Sequence, residues 1–370
     1  MNWRLTALFH FYYVTVSYFV TMDTMEKKTR IAQIAPLWIP VPPRTYGGIE
    51  LMLHNLTEEL VKRGYPVTLF ASGDSETRAR LIPAVAKGLW LQHGLKNPHA
   101  AVLRELRCVF DRISEFDIIH NHFNFFLFPL LLKEDCPPFL TTIHRPMDDL
   151  FADAIKAYPT HALSALSEDH KKSIESFGIK VEAVIPNGID VERYTYNESP
   201  GEYILYLSRL NKEKGIVTAL EVAKAAGKKL VVAGNVVGGE EWAQFLYEVQ
   251  PQLNEEGIKF VGQVDFAEKV ELMRNAAAFL FPIDRREPFG LVMIEAMACG
   301  TPVIAFRKGS VPEVVEDGVT GFVVDTKEEM IRAIGNVGKI NRAACRAAVE
   351  KNFTIEQMTA RYEELYSKIV

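Results

Sequence analysis

Short β-rich runs alternate with helical stretches from residue 30 almost to the end of the chain, and this alternation constrains the fold more than any other feature. "RIAQIA" (30–35), "PVTLFA" (66–71), "DIIHNH" (117–122), "FLTTIH" (139–144), "HALSAL" (161–166) and "VEAVIP" (181–186) make a first set of strands. Gly47-Gly48 opens a helix that runs to about Arg63, where Gly64 ends it. Ser167 caps another helix, with Glu168 and Asp169 in the first turn where the helix dipole favours them. "NESPG" (197–201) reads as a linker. A second set follows it: "YILYLSR" (203–209), "KLVVAG" (229–234), "IKFVGQV" (258–264), "AFLFPI" (278–283), "TPVIAF" (301–306) and "GFVVD" (321–325). Ile355 to Val370 reads as a charged amphipathic helix. Repeated βα units imply mostly parallel sheets. The pattern predicts an α/β chain of two doubly wound domains of similar size facing each other. Ligands of such sheets sit outside the carboxyl ends of the strands.

A length of 370 residues fits two domains, and 48% hydrophobic with 24% charged residues is ordinary globular composition. Net charge is −5 and no long basic block occurs, which argues against nucleic acid as a partner. Cys108, Cys136, Cys299 and Cys345 are scattered, so neither a disulfide framework nor a zinc site is expected, and a reducing, cytoplasmic setting fits. "LTALFHFYYVTVSYFV" (5–20) falls short of the ~20 residues that span a bilayer. No small-residue cleavage site follows it. Lys27, Lys28 and Arg30 would hold the rest of the chain in the cytoplasm if the run inserted. Because "MEKKTRIAQIAP" from Met25 resembles a domain start, residues 1–24 are read as an extended start, with peripheral membrane contact as the alternative.

No GxGxxG, GxxxxGK[ST] or GxSxG occurs, so dinucleotide, P-loop and α/β-hydrolase sites lack their fingerprints. No DxD pair is present to hold a metal–diphosphate. His120 and His122 share one face of a strand end, where a hydrogen-bonding role is favoured over a metal site. Gly47-Gly48 precedes a helix whose first amides could hold an anion, although turn glycines are common. Arg209 and Lys214 flank the turn after a strand of the second set; they are either solvated charges or one side of a diphosphate clamp.

The strongest signal is "EPFGLVMIEAMACGTPV" (287–303). Pro288, Phe289 and Gly290 place a turn before a helix, so the first amides of that helix face the cleft. Glu287 lies in the turn, and Glu295 lies in a helix that is apolar nearly all round. A buried carboxylate is costly unless paired. Its partner is either the hydroxyls of a sugar or ribose, or a basic residue of the core.

With "IPNGID" (185–190), "YLSRLNKEKG" (206–215) and "GGIE" (47–50), this segment resembles the retaining glycosyltransferases of family 4, from about residue 30 to the C-terminus. The resemblance implies a GT-B fold, two Rossmann-like domains facing across a cleft: an acceptor-side domain over 25–196, a nucleotide-sugar domain over 197–354, and a helix over 355–370 crossing back to the first domain. It implies a nucleoside-diphosphate sugar donor, no cofactor and no metal. Glu287 would contact donor-sugar hydroxyls and Glu295 the ribose. Arg209 and Lys214 would neutralise the leaving diphosphate, helped by amides of Phe289, Gly290 and Leu291 and by Gly47-Gly48 across the cleft. His144 would lie near the anomeric carbon, with His122 and Asn187 on the acceptor side. The expected reaction is front-face transfer to a hydroxyl of a sugar, glycan or lipid-linked acceptor. A nucleotide-sugar epimerase and a catalytically silent sugar-binding module are the alternatives.

Overall fold

The computed structural model describes residues 28–45, 47–91, 97–236, 242–243 and 245–370; the reading of residues 1–24 as an extended start falls outside them. The first half is a parallel sheet of β1 (Ile31–Ile34), β2 (Val67–Ser72), β3 (Arg80–Val85), β4 (Ile118–Asn121), β5 (Phe139–Thr142), β6 (Ala162–Ala165) and β7 (Ala183–Val184), in the order β3-β2-β1-β4-β5-β6-β7. Every residue of β1, Gln33 included, is buried, as expected of a parallel strand covered on both faces. The covering helices are α1 (Gly48–Lys62), α2 (Pro98–Phe110), α3 (Asp149–Lys156) and α4 (Glu168–Glu175).

The second half repeats the design with β8 (Tyr203–Leu207), β9 (Lys229–Ala233), β10 (Ile258–Gly262), β11 (Ala278–Phe281), β12 (Val303–Phe306) and β13 (Gly321–Val324), in the order β10-β9-β8-β11-β12-β13. Its helices are α5 (Ile216–Ala225), α6 (Phe266–Asn275), α7 (Leu291–Ala298), α8 (Val311–Val314), α9 (Lys327–Asn336) and α10 (Arg342–Asn352). All registers recorded in both sheets are parallel. In each sheet the strand order reverses beside the first strand, at β1/β4 and at β8/β11, which is where α/β sheets open a ligand crevice.

The last helix, α11 (Ile355–Ile369), leaves the second half and packs on the first. Its apolar stripe, Met358, Tyr362, Leu365 and Tyr366, meets Met52, Leu56 and Leu60 of α1 together with Ile31 and Ile118 of the sheet. The spacing is that of one helix face. Burying two tyrosines needs partners for their hydroxyls, and both find them among side chains of β1, β4 and β5.

Strand β3 and helix α2 are among the elements that the sequence pattern leaves unnamed. Strand β3 is a half-exposed edge strand containing Pro83, a residue that edge strands tolerate and central strands do not. Helix α2 starts with Asn97 as its cap and Pro98 in its first turn, and its hydrophobic content is too low to stand out as an apolar run.

Candidate active site

The cleft between the halves is walled by residues that follow strands of both sheets. From the first half come Gly47 and Gly48 at the start of α1, His144 beyond β5, and Asn187 beyond β7. From the second half come Lys214 beyond β8, Gln263 and Val264 beyond β10, Arg285 and Glu287 beyond β11, and Phe289, Gly290 and Leu291 leading into α7. Gly47 takes φ +156° with Ile39 and Pro43 so close that an added Cβ would lie 2.4 and 2.7 Å from their side chains. Gly290 takes the left-handed φ of +79° as the residue before α7, a conformation that costs glycine little. The first amides of a helix have no intrahelical acceptor, so the starts of α1 and α7 bring donor groups to opposite walls.

Lys214 and Glu287 form the polar centre. Nζ of Lys214 lies 2.7 Å from Oε2 of Glu287, and the two side chains are only 11% and 13% exposed. Asn211 Oδ1 accepts the Lys214 backbone N–H at 2.9 Å and shapes the turn that presents the lysine. Burial lowers the pKa of Lys214 below the ordinary lysine value; Glu287 opposes this, and the charges of Arg285 and Arg209 add to it. Arg285 is itself paired with Glu213, its Nη1 2.9 Å from Oε2, so three cations and two carboxylates meet here. Arg209 itself is half-buried and is not part of the cleft wall; its neighbour Ser208 is.

Glu295 is 2% exposed yet lines the cleft. The Tyr194 hydroxyl donates to its Oε1 at 2.7 Å, and Nζ of Lys269 sits 2.5 Å from the same oxygen. The basic partner anticipated for a buried Glu295 thus exists, and it lines the cleft with it. Lys269 also lies over the rings of Phe266 and Tyr194, 5.2 and 5.8 Å from their centroids. Burial, and then the charge of Glu295, holds the Tyr194 phenol well above its usual pKa, so it is a hydrogen-bond donor at any working pH.

His144 is half-buried, and burial pushes its pKa down to about 3, with a smaller contribution from His170. It is a neutral imidazole. Its Nε2 lies 3.0 Å from Nδ1 of His122, which is fully buried behind it and does not reach the cleft wall. His120 and His122 share a face, as strand alternation requires, with ring centroids 4.0 Å apart. All four of their nitrogens have protein partners: Tyr366, Thr142, His144 and Gln33. That is the hydrogen-bonding role.

The turn carrying Glu287 is also clasped by the first half. Ser167 Oγ, which accepts the His170 N–H, donates to the carbonyl of Pro288 at 2.8 Å. Arg286 pairs with both carboxylate oxygens of Asp169. Glu313 accepts the first two amides of α4, from Glu168 and Asp169, each at 2.7 Å. Residues on both sides of Glu287 are therefore fixed to the opposite domain.

Tyr194, Lys269 and Arg285 carry no motif signal in the sequence, because each is a single residue whose role depends on a contact 26 to 101 positions away or on a turn shared with Glu287. Gln263 donates to Thr45 Oγ1 across the cleft mouth and is equally silent.

Two facing parallel sheets with a cleft at their strand ends, and a last helix returning to the first sheet, define a GT-B protein. Two family models match consecutive stretches of the chain, Glycosyltransferase Family 4 over residues 46–193 and Glycosyl transferases group 1 over residues 192–350. The chain belongs to the family 4 glycosyltransferases. It is 25% identical to a glycogen synthase of Mycobacterium tuberculosis, over 76% of this chain and 79% of that one. Among solved structures it resembles the sucrose-phosphate synthase of Thermosynechococcus elongatus, with a TM-score of 0.78, 20% identity, and coverage of 92% and 99%. It also resembles Anabaena HepE in complex with UDP-glucose, with a TM-score of 0.72, 18% identity, and coverage of 92% and 100%.

Proposed function

We propose that this glycosyltransferase takes a nucleoside-diphosphate sugar as donor and moves the sugar to an acceptor hydroxyl with retention of anomeric configuration and without a metal ion. The observation that carries the reading is the Lys214–Glu287 pair, with Arg285 and Arg209 close by and the start of α7 beside it. Lys214, Arg209 and Arg285 outnumber Glu287 and Glu213 by one positive charge, an excess that suits a diphosphate, and fixed positive groups that meet developing charge are a main source of catalysis. The UDP-glucose held by the similarly folded HepE is consistent with this donor class.

In this reading the diphosphate leaves toward Lys214, Arg285 and the amides of Phe289, Gly290 and Leu291, with Gly47-Gly48 opposite and the charge of Arg209 adding from outside the cleft wall. Glu287 meets the donor sugar, and Glu295, held by Tyr194 and Lys269, meets the ribose. His144 orients the acceptor hydroxyl, with Asn187 on the same side and His122 supporting from behind. The anomeric carbon's bond to the diphosphate breaks, the acceptor oxygen bonds to that carbon on the face the diphosphate vacates, and the leaving phosphate oxygen takes the hydroxyl proton, so no protein nucleophile is needed. The positive side chains supply the charge that a metal would otherwise bring; among the described residues no three His, Cys, Asp or Glu side chains converge as a ligand set. The acceptor is a sugar, glycan or lipid-linked sugar. All four cysteines are free thiols, which fits a cytoplasmic setting, and no helix among the described residues is long and apolar enough to cross a membrane.

The test is incubation of the full chain with a panel of labelled nucleoside-diphosphate sugars in EDTA, followed by NMR. Transfer or slow donor hydrolysis with the donor's anomeric configuration kept supports the reading. Isomerised donor points to an epimerase, and binding without turnover points to a silent module.

A further inference from the structure

The His144 imidazole ends a buried chain of hydrogen bonds that begins on the returning helix α11. Four rings and one amide take part, and all except His144 are fully or almost fully buried: Tyr366, Gln33, His120 and His122. Gln33 Nε2 donates to the Tyr366 oxygen at 3.2 Å. Gln33 Oε1 lies 2.9 Å from His122 Nε2, and His122 Nδ1 lies 3.0 Å from His144 Nε2. Tyr366 OH lies 2.7 Å from His120 Nδ1, and His120 Nε2 lies 2.7 Å from Thr142 Oγ1.

The proton positions follow from the chemistry of one atom. An amide oxygen can only accept, so the proton of neutral His122 is on Nε2. Its Nδ1 is then an acceptor, and the proton that fills that contact is the one on His144 Nε2. The same polarity runs the other way from Gln33: the Tyr366 oxygen accepts the amide N–H and gives its own proton to His120 Nδ1, whose Nε2–H meets Thr142. Every donor in the chain has an acceptor. The reverse polarity needs the Gln33 amide turned over, and it would place the His144 proton on Nδ1 instead.

We propose that Gln33, His122 and Tyr366 are positioning residues that hold His144 in the Nε2–H tautomer, so that Nδ1 presents a lone pair to the acceptor hydroxyl. His144 then accepts the hydroxyl's hydrogen bond before reaction and turns its oxygen toward the sugar; the proton passes to the leaving phosphate oxygen as the new bond to the sugar forms, so His144 is not the base. It does not donate to the departing group. The identity of that hydroxyl rests on the glycosyl-transfer reading; the tautomer does not. A consequence is that the C-terminal helix, far along the chain from His144, acts on the reaction through a tyrosine that never reaches the cleft.

The decisive measurement is the nitrogen spectrum of the full chain labelled with 15N-histidine, with His144 assigned by loss of its signals in His144→Gln. Protonated Nε2 and unprotonated Nδ1 are expected. A proton on Nδ1 overturns the proposal, and this arm needs no other variant to fold. Gln33→Leu and Tyr366→Phe supply the functional arm. In Gln33→Leu the two tautomers should mix and kcat should fall about tenfold or more, as expected when a catalytic histidine is held in the wrong tautomer. Nucleoside-diphosphate affinity and donor KM should stay within about twofold, since neither touches the donor. Tyr366→Phe should act in the same direction and less. A Gln33→Leu protein whose tautomers mix while kcat is unchanged also overturns the proposal. Failure of the wild-type chain to transfer any sugar overturns the functional reading instead, and leaves the spectrum to decide the tautomer.

Discussion

The phenol of Tyr194 donates to the carboxylate of Glu295 at 2.7 Å inside the protein, 101 positions away in sequence, and Lys269 pairs with the same oxygen. A carboxylate in an apolar helix is thereby kept in place at the edge of a cleft, with Oε1 accepting both hydrogen bonds. Neither the ion pair nor the ligand contact alone explains the residue. The pair fixes the carboxylate at the cleft wall.

That arrangement makes the Tyr194–Glu295 contact measurable. Tyr194→Phe keeps the ring and removes one hydrogen bond to a charged group, which should cost about 2 kcal/mol in urea unfolding. In a Glu295→Gln background the same change should cost about 1 kcal/mol or less, since the charge is gone. Equal costs in both backgrounds would show that the phenol does not act on the carboxylate.

Among the cations, Lys214 is the most buried against Glu287 and Arg285 shares the cleft wall. Lys214→Ala should lower turnover by ~10²-fold or more, as for loss of an oriented charge stabiliser. Arg209→Ala and Arg285→Ala should both weaken nucleoside-diphosphate binding in calorimetric titrations. Diphosphate affinity unchanged in all three variants would remove them from the phosphate site.

Histidine burial sets the acid limit of the fold. His120 and His122 lie well below the ordinary histidine pKa, with His144 near 3 and His170 near 4. The unfolded chain therefore binds more protons below about pH 6.5, and stability must fall as pH drops from there toward 4, by up to about 1.4 kcal/mol per pH unit for each fully buried ring. His122→Gln should reduce that slope by about one proton's worth. The pH–rate profile should show no inflection from His144 near neutrality. A slope unaltered by His122→Gln would mean that His122 is protonated in the folded state.

Glu50 works with the opposite sign. It sits buried in the first turn of α1, packed against Gly47, and burial raises its pKa to about 7. Its contribution to stability is complete below pH 4.5 and is lost as pH rises through 7. Glu50→Gln should therefore stabilise the protein at pH 8 by up to about 3 kcal/mol and leave it unchanged near pH 4. Denaturant midpoints at the two pH values check this.

The sequence carried the parallel sheets because their strands are buried on both faces and read as apolar runs, as in "IAQI" and "VVA". Strand β3 was lost because an exposed edge carries Arg80 and Pro83 instead of an apolar run. At the site, Glu287, Glu295, Lys214 and the glycine turns were legible because they sit in contiguous motifs. Gln33, Tyr194, Lys269 and Tyr366 were not. Their partners lie on other strands and helices, and a hydrogen bond closed by the fold leaves no local pattern. The resemblance puts His122 on the acceptor side; in the structure it lies one ring behind that surface because His144, beyond the end of the adjacent strand β5, covers it.

A nucleoside-diphosphate sugar in this cleft, with Glu287 at the reacting sugar and Glu295 at the ribose, makes the two carboxylates separable by kinetics. The most direct measurement is steady-state donor turnover in EDTA for Glu287→Gln and Glu295→Gln, with nucleoside-diphosphate titrations of the same proteins. Glu287→Gln should lose kcat and keep nucleotide affinity, because its contact strengthens only as charge develops at the anomeric carbon. Glu295→Gln should raise donor KM and weaken free nucleotide, with kcat little changed. Glu295→Gln losing turnover while binding nucleotide normally, or wild-type activity that vanishes in EDTA and returns with a divalent ion, would contradict the account.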